Sequence, residues 1–281
     1  MPIVLAAMCA VVYGVADYLG GRASRVTASA AVAMVGQAVS GVLVLLLVVS
    51  LGTPAPAWPT FAWGGAAGAA GAIGIACFYA ALASGAMSVV APISAVISVV
   101  LPVIVGLAQG DRPLAIAYVG FASAVVAVAL VSGFGQAAVA AVPAGVIGLA
   151  VAGGVGFGSM FVLMERTADD SGLWPLVAIR ASSVPLLAIV VLARRTPVRG
   201  VGRSTLLMIV LSGALDMAAN GLYLAAVRRD LLSIVAVISA MYPVSTVVLA
   251  SRLDGERIHR SQLLGMGFGA VAVAFVTLGR A

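Results

Sequence analysis

"AVISVVLPV" runs from Ala95 to Val103 and "AVISAMYPV" from Ala236 to Val244, and six of the nine letters agree, the proline among them. A stretch this apolar belongs to a buried or lipid-facing helix, yet proline removes a backbone donor and crowds the preceding turn. Two such phrases with the proline at the same place, 141 positions apart, point to a duplicated segment rather than to chance.

Working outward, the whole chain has this character. Its 281 residues are 63% hydrophobic and 9% charged, with a mean hydropathy of +1.21, a balance that leaves too little polar surface for a water-soluble domain. A hydrocarbon layer of about 30 Å takes roughly 20 helical residues to cross. Ten apolar stretches of that kind start near Ile3, Ala28, Phe61, Val89, Leu114, Pro143, Trp174, Ser204, Leu232 and Ser261. The fold expected is therefore an all-α integral membrane protein with ten transmembrane helices and no soluble domain. The N-terminal segment has neither a basic region before its apolar run nor a small-residue cleavage site, so it is expected to remain as a helix. Trp58, Trp63 and Trp174 stand at the edges of apolar runs, as interfacial anchors do.

The second half repeats more of the first than the opening phrase. "FYAALA" at Phe78–Ala83 meets "LYLAAV" at Leu222–Val227, which aligns Tyr79 with Tyr223. "GDRPLAIAYVG" from Gly110 meets "GERIHRSQLLG" from Gly255, and "YGVADYLGGR" from Tyr13 lies over "FGSMFVLMER" from Phe157. Two five-helix units, residues 1–138 and 139–281, account for the chain. Because five is odd, the second unit starts on the opposite side of the membrane, and the repeats are expected to be inverted, the arrangement many secondary transporters use to open one central site alternately to either side. Pro102 and Pro243 sit in the fourth span of each unit, where they serve either as static kinks or as moving gates.

The five-plus-five layout, the G-[DE]-R loop before the last helix of each half and the small-residue final helix resemble the EamA family of the drug/metabolite transporter (DMT) superfamily. "VADYLGGRASR" from Val15 to Arg25 is similar to the end of the first helix in some bacterial members. The resemblance implies a substrate cavity between the halves and export or exchange of small metabolites, amino acids or drugs. It implies a multi-pass protein of the cell membrane, in bacteria the inner membrane, with both termini inside. The loop arginines argue the other way. Arg112, Arg166, Arg228, Arg229 and Arg280 lie on the side of the termini, whereas Arg22, Arg25, Arg194, Arg195, Arg199, Arg203, Arg252, Arg257 and Arg260 lie opposite, and an excess of positive charge marks the cytoplasmic side.

Function should lie where the sequence accepts a cost, and a charge near the bilayer centre costs at least about 2.5–3.5 kcal/mol. Asp216 in the eighth span, Arg180 in the seventh and Asp17 in the first qualify. Asn220 and Tyr223 follow Asp216 at i+4 and i+7 and share its face, which reads as a cavity wall. The first-half counterparts are Ala72, Ala76 and Tyr79, while Arg180 aligns with Gly36 and Asp17 with Phe161. The frame is duplicated and the charges are not, as expected of one asymmetric site on a shared scaffold. Gln37, Tyr13, Tyr79 and Tyr242 are further candidates for the cavity lining. If Arg180 neutralises one carboxylate, the other is left to hold a proton or a cationic substrate, and proton-coupled export of a cationic or zwitterionic compound follows. A structural Arg180–Asp216 ion pair is the alternative.

The spacings Gly64–Gly68, Gly154–Gly158 and Gly265–Gly269 give small-residue faces for close helix packing. The net charge of +6 comes from arginines spread over short loops, which does not suit a nucleic-acid partner. No cofactor or metal is implied: His259 is the only histidine, in a loop, and Cys9 and Cys77 are isolated in apolar runs. The expected partners are a small-molecule substrate, protons and the lipid bilayer, with the chain a monomer or weak homodimer. A membrane-embedded enzyme would need clustered acid/base groups that the sequence lacks, and a non-transporting scaffold would need neither the duplicated prolines nor the buried charges.

Overall fold

The computed structural model describes residues 1–84, 86–133, 142–195 and 201–280, and among these the regular structure is entirely helical. The expected 138/139 boundary and Arg199 lie outside the described residues. The helices are α1 (Pro2–Ser24), α2 (Ser29–Ser50), α3 (Trp58–Leu82), α4 (Met87–Gln109), α5 (Ala115–Val131), α6 (Ala144–Glu165), α7 (Trp174–Ala193), α8 (Arg203–Val227), α9 (Leu232–Ser239), α10 (Tyr242–Leu253) and α11 (Arg260–Leu278). With α9 and α10 taken as one span, nine spans among the described residues are long and apolar enough to cross a membrane, and α5, at 17 residues, is a shorter apolar helix.

Local chemistry sets the helix ends. Prolines occupy the first turn of α1, α3, α7 and α10, where the missing N–H has no helical partner to lose. Gly110 and Gly255, which open the two G-[DE]-R loops, both have positive φ, at 114° and 70°, a conformation that favours glycine. The repeated motif is thus a repeated turn.

The halves pack on each other reciprocally. α1 lies on α8 as α3 lies on α6, α4 lies on α6 as the α9–α10 span lies on α1, and α2 meets α8 as α3 meets α7. Small residues make the approach possible. A Cβ at Gly14 would stand 2.8 Å from the Tyr242 carbonyl oxygen, and one at Gly158, 144 positions on, 3.0 Å from Leu101 Cβ. Gly64 and Gly68 face α7, Gly154 and Gly158 face α4, and Gly265 and Gly269 face α5 and Met241, so all three glycine pairs serve internal packing. At the α5–α11 contact a Cβ at Gly120 would lie 2.6 Å from Val276 Cγ2, and one at Gly265 2.8 Å from Val131 Cγ2. Gly120 and Gly265 are 145 positions apart, as are Val131 and Val276. The start of each helix meets the end of the other, so α5 and α11 run antiparallel.

The ninth span departs from expectation. Proline was expected inside both the fourth and the ninth span, and α4 does run unbroken through Pro92 and Pro102. The ninth span breaks at Ala240–Met241, which puts Pro243 in the first turn of α10 rather than inside a helix. Tight bonds from Ala240 N–H to Ala236 O (2.9 Å) and from Met241 N–H to Ile238 O (3.2 Å) close α9 just before the proline.

The two faces of the bundle differ. On the face of the chain termini, every residue of α9 is buried, and α9 packs on both α4 and α1. There the Asp111 carboxylate, from the first half, accepts bonds from Ser233 N–H (2.9 Å) and Ser233 Oγ (2.6 Å) at the start of α9. Asp230 pairs with Arg280 at 2.8 Å. Arg228 donates to Gly172 O, Ala168 O and Ser171 Oγ, and its burial there lowers its pKa. On the opposite face no residue of α10 is buried, and among the described residues α10 packs on α1 with no comparable packing on α4. Tyr18 OH donates to Asp254 Oδ1 at 2.9 Å, Arg22 and Arg25 pair with Asp254, and Arg25 with Glu256 at 2.6 Å. The hydrogen bond to Glu256 pushes the Arg25 pKa further up.

Candidate functional site

On α1, the residues Ala6, Ala10 and Tyr13 form a buried stripe at helical spacing, and Asp17 continues it. Asp17 is nevertheless exposed. On α8 the same holds: Thr205, Ile209, Gly213, Asn220, Tyr223 and Val227 are buried along one face, and Asp216 in the middle of that face keeps 32% of its side chain accessible. Two carboxylates on protein-facing stripes, both reached by solvent, define a water-accessible opening inside the bundle. The opening lies toward the face where α10 has no comparable packing on α4.

Packing of α1 on α8 sets the depth of each group. Ser212 Oγ donates to Ala16 O at 2.8 Å, so the two antiparallel helices are level there. Asp216 is one turn deeper than Ser212, and Asp17 lies near the level of Ser212. Asp17 therefore stands about 6 Å nearer the open face than Asp216, from four residues of rise.

Arg180 holds the deeper level. Its side chain is 7% accessible, its Nε donates to Ser40 Oγ at 2.9 Å, and Nη2 bonds the Asp216 carboxylate. Gly41 leaves room for it: a Cβ there would be 3.1 Å from Arg180 Cβ. Asp17 forms no hydrogen bond or ion pair among the described residues. It interacts electrostatically with Asp216 and with the hydroxyls of Tyr13, Tyr79 and Tyr242. Tyr13 and Tyr242 pack with ring centroids 6.1 Å apart, and the buried Tyr13 hydroxyl has no partner among the described residues.

Of the residues singled out in the sequence, Asp17, Arg180, Asp216, Tyr79, Tyr13 and Tyr242 come together. Asn220 and Tyr223 do not line the opening. Asn220 is 2% exposed and donates to the Asp216 carbonyl one turn back, at 2.8 Å, while Tyr223 is fully buried with its ring 4.6 Å from Phe161. Gln37 is half-buried beside the α2–α8 crossing, its Oε1 without a partner among the described residues. Pro102 is buried and Pro243 half-buried, away from the charges in sequence but on the two spans that differ between faces. Ser40, Gly41 and Asp111 carry roles that sequence reasoning missed. A serine in an apolar helix gives no hint of an arginine partner on another helix, and Asp111 reads as an ordinary loop residue.

Residues 144–278 match the EamA-like transporter family. No curated protein matches the chain. Among solved structures 26 chains match, and one crystal structure aligns with a TM-score of 0.79 at 15% identity, over 98% of this chain and 96% of that one. At that identity the likeness is one of fold. Residues 144–278 thereby belong to the EamA-like transporter family of the drug/metabolite transporter superfamily, and the chain is a multi-pass membrane protein.

Proposed function

We propose that the protein is a secondary carrier that works by alternating access between two inverted five-helix halves, residues 1–138 and 139–281, and that it exports or exchanges a small metabolite, amino acid or drug. The single observation that carries this reading is the asymmetry of two related spans. α9 is wholly buried against α4 at one face, whereas among the described residues α10 has no comparable packing on α4 at the other, and Asp17 and Asp216 keep solvent access. The antiparallel exchange of Gly120–Val276 for Gly265–Val131 supports inversion, since halves that can trade conformations give a carrier its second state. In that second state α10 closes on α4 and α9 swings away, with Pro102 inside α4 and the break before Pro243 as the gating points of the two spans.

Proton coupling is part of the reading. Arg180 engages Asp216, and Asp17 is left as the carboxyl that can load and unload a proton. The bacterial inner membrane suits a carrier of this kind, with the protein acting as a monomer or weak homodimer. The test is solute flux in proteoliposomes with an imposed pH gradient, across a panel of amino acids, amines and neutral metabolites. Saturable flux that responds to the gradient is expected. Liposomes no more permeable to any member of the panel than protein-free ones would point instead to an enzyme or a scaffold.

A further inference from the structure

We infer that the site selects a monovalent organic cation, whose ammonium group pairs with Asp17 in exchange for one proton. The inference rests on the carrier reading for its physiological meaning but not for its test.

Three charges make up the site: Asp17 on α1, Asp216 on α8 and, buried behind Asp216, Arg180 on α7. Arg180 is bonded to Asp216, so the trio carries a net charge of −1 when both acids are ionised. A single negative charge in an opening walled by apolar helices favours one proton or one monocation as its counter-charge. A neutral solute leaves it uncompensated, a zwitterion restores the imbalance with its own carboxylate, and a dication overshoots. The geometry assigns the exchangeable charge to Asp17 and not to Asp216. Asp216 has its partner, lies a turn deeper and shares that partner with Ser40.

The surroundings fit an ammonium group. Tyr79 on α3, Tyr242 on α10 and Tyr13 on α1 are the titratable groups that feel the Asp17 charge alongside Asp216. Tyrosine rings offer a face to a cation, and their hydroxyls accept from N–H. The Tyr13 hydroxyl sits one turn below Asp17 on the same stripe. It is buried, in a residue only 9% exposed, and has no partner among the described residues, so it is an unused acceptor beneath Asp17. The exchange balances: the protonated Asp17 carboxyl and an incoming alkylammonium ion give the Asp17 carboxylate–ammonium ion pair and one free proton, which leaves to the solvent at the open face.

Tryptamine, its neutral alcohol analogue tryptophol and the zwitterion tryptophan share one ring system and differ in charge, which makes them suitable probes. Calorimetric titration of the full-length protein in detergent, in two buffers of different protonation enthalpy, reads both affinity and protons released. Tryptamine is expected to bind at least tenfold more tightly than either analogue, to release up to one proton, and to gain up to tenfold in affinity per pH unit on the acid side. Asp17→Asn should lose that proton release and at least tenfold in affinity, and Asp17→Glu should restore both, which separates a lost charge from a lost fold. Failure of the wild type to bind tryptamine, equal binding of tryptophol, or proton release unchanged in Asp17→Asn overturns the inference. Asp17-dependent binding without flux keeps it and removes the carrier reading. Flux of a neutral solute untouched by Asp17→Asn does the reverse.

Discussion

Arg180 of α7 bonds the Asp216 carboxylate of α8 while its Nε donates to Ser40 of α2, so one guanidinium ties three helices at the floor of the opening. The pair is inside the bundle, with Arg180 7% accessible. Removing one partner of a buried pair leaves the other charge uncompensated, at a cost of about 3–5 kcal/mol. Asp216→Ala is therefore expected to lower the midpoint of thermal unfolding in detergent by several degrees. The double variant with Arg180→Met should recover part of the loss. A double variant as unstable as the two single losses added together would show that the two side chains act independently.

The α3–α7 contact offers a matched comparison within one helix. A Cβ at Gly68 would come within 2.8 Å of the Ile179 carbonyl carbon, whereas one at Gly65 meets nothing. Gly68→Ala should destabilise by about 1–3 kcal/mol through overpacking against backbone that cannot yield. Gly65→Ala should be neutral or slightly stabilising, because alanine favours the helix. Thermal unfolding of the two purified variants checks this directly.

At the sealed face, Asp111 caps α9 through Ser233 N–H and Oγ. Loss of a helix cap costs about 0.5–2 kcal/mol, here charged against the state in which α9 is packed on α4. Asp111→Ala should shift the population toward opening on that face. In a background where Cys9 and Cys77 are replaced by alanine, maleimide labelling of Val235→Cys, buried in this state, should speed up several-fold when Asp111→Ala is added. An unchanged rate would remove Asp111 from the closure of that face.

Much of this architecture was readable from residue order. The apolar runs pointed to an all-helical membrane protein, and the G-[DE]-R phrases to a repeated turn, because membrane spans and tight turns are governed by local chemistry. Gly110 and Gly255 illustrate it, each needing positive φ. The three charges could be singled out because a buried charge is costly wherever the helix lies. Their roles were harder to read. The face shared by Asp216, Asn220 and Tyr223 reads as a cavity wall, yet the bundle buries Asn220 and Tyr223 and pairs Asp216 with Arg180. Which side of a helix faces an opening depends on how the halves lean on each other, and that is a tertiary property. The break before Pro243 and the unbroken helix through Pro102 likewise share one local sequence and differ by what packs on them.

If the two halves trade conformations, closure of α10 on α4 accompanies opening at α9. Spin labels test this with two pairs in the cysteine-free background: Gln109 with Arg229 on the sealed face, and Ser84 with Leu253 on the open one. The positions are exchanged by the repeat, Gln109 with Leu253 at a shift of 144 and Ser84 with Arg229 at 145, and all four are exposed. Double electron–electron resonance in lipid nanodiscs across a range of pH should show two distances for each pair. As conditions change, the short distance at one face should grow in population together with the long distance at the other. A single, condition-independent distance at both faces, or two pairs that lengthen together, would contradict the account.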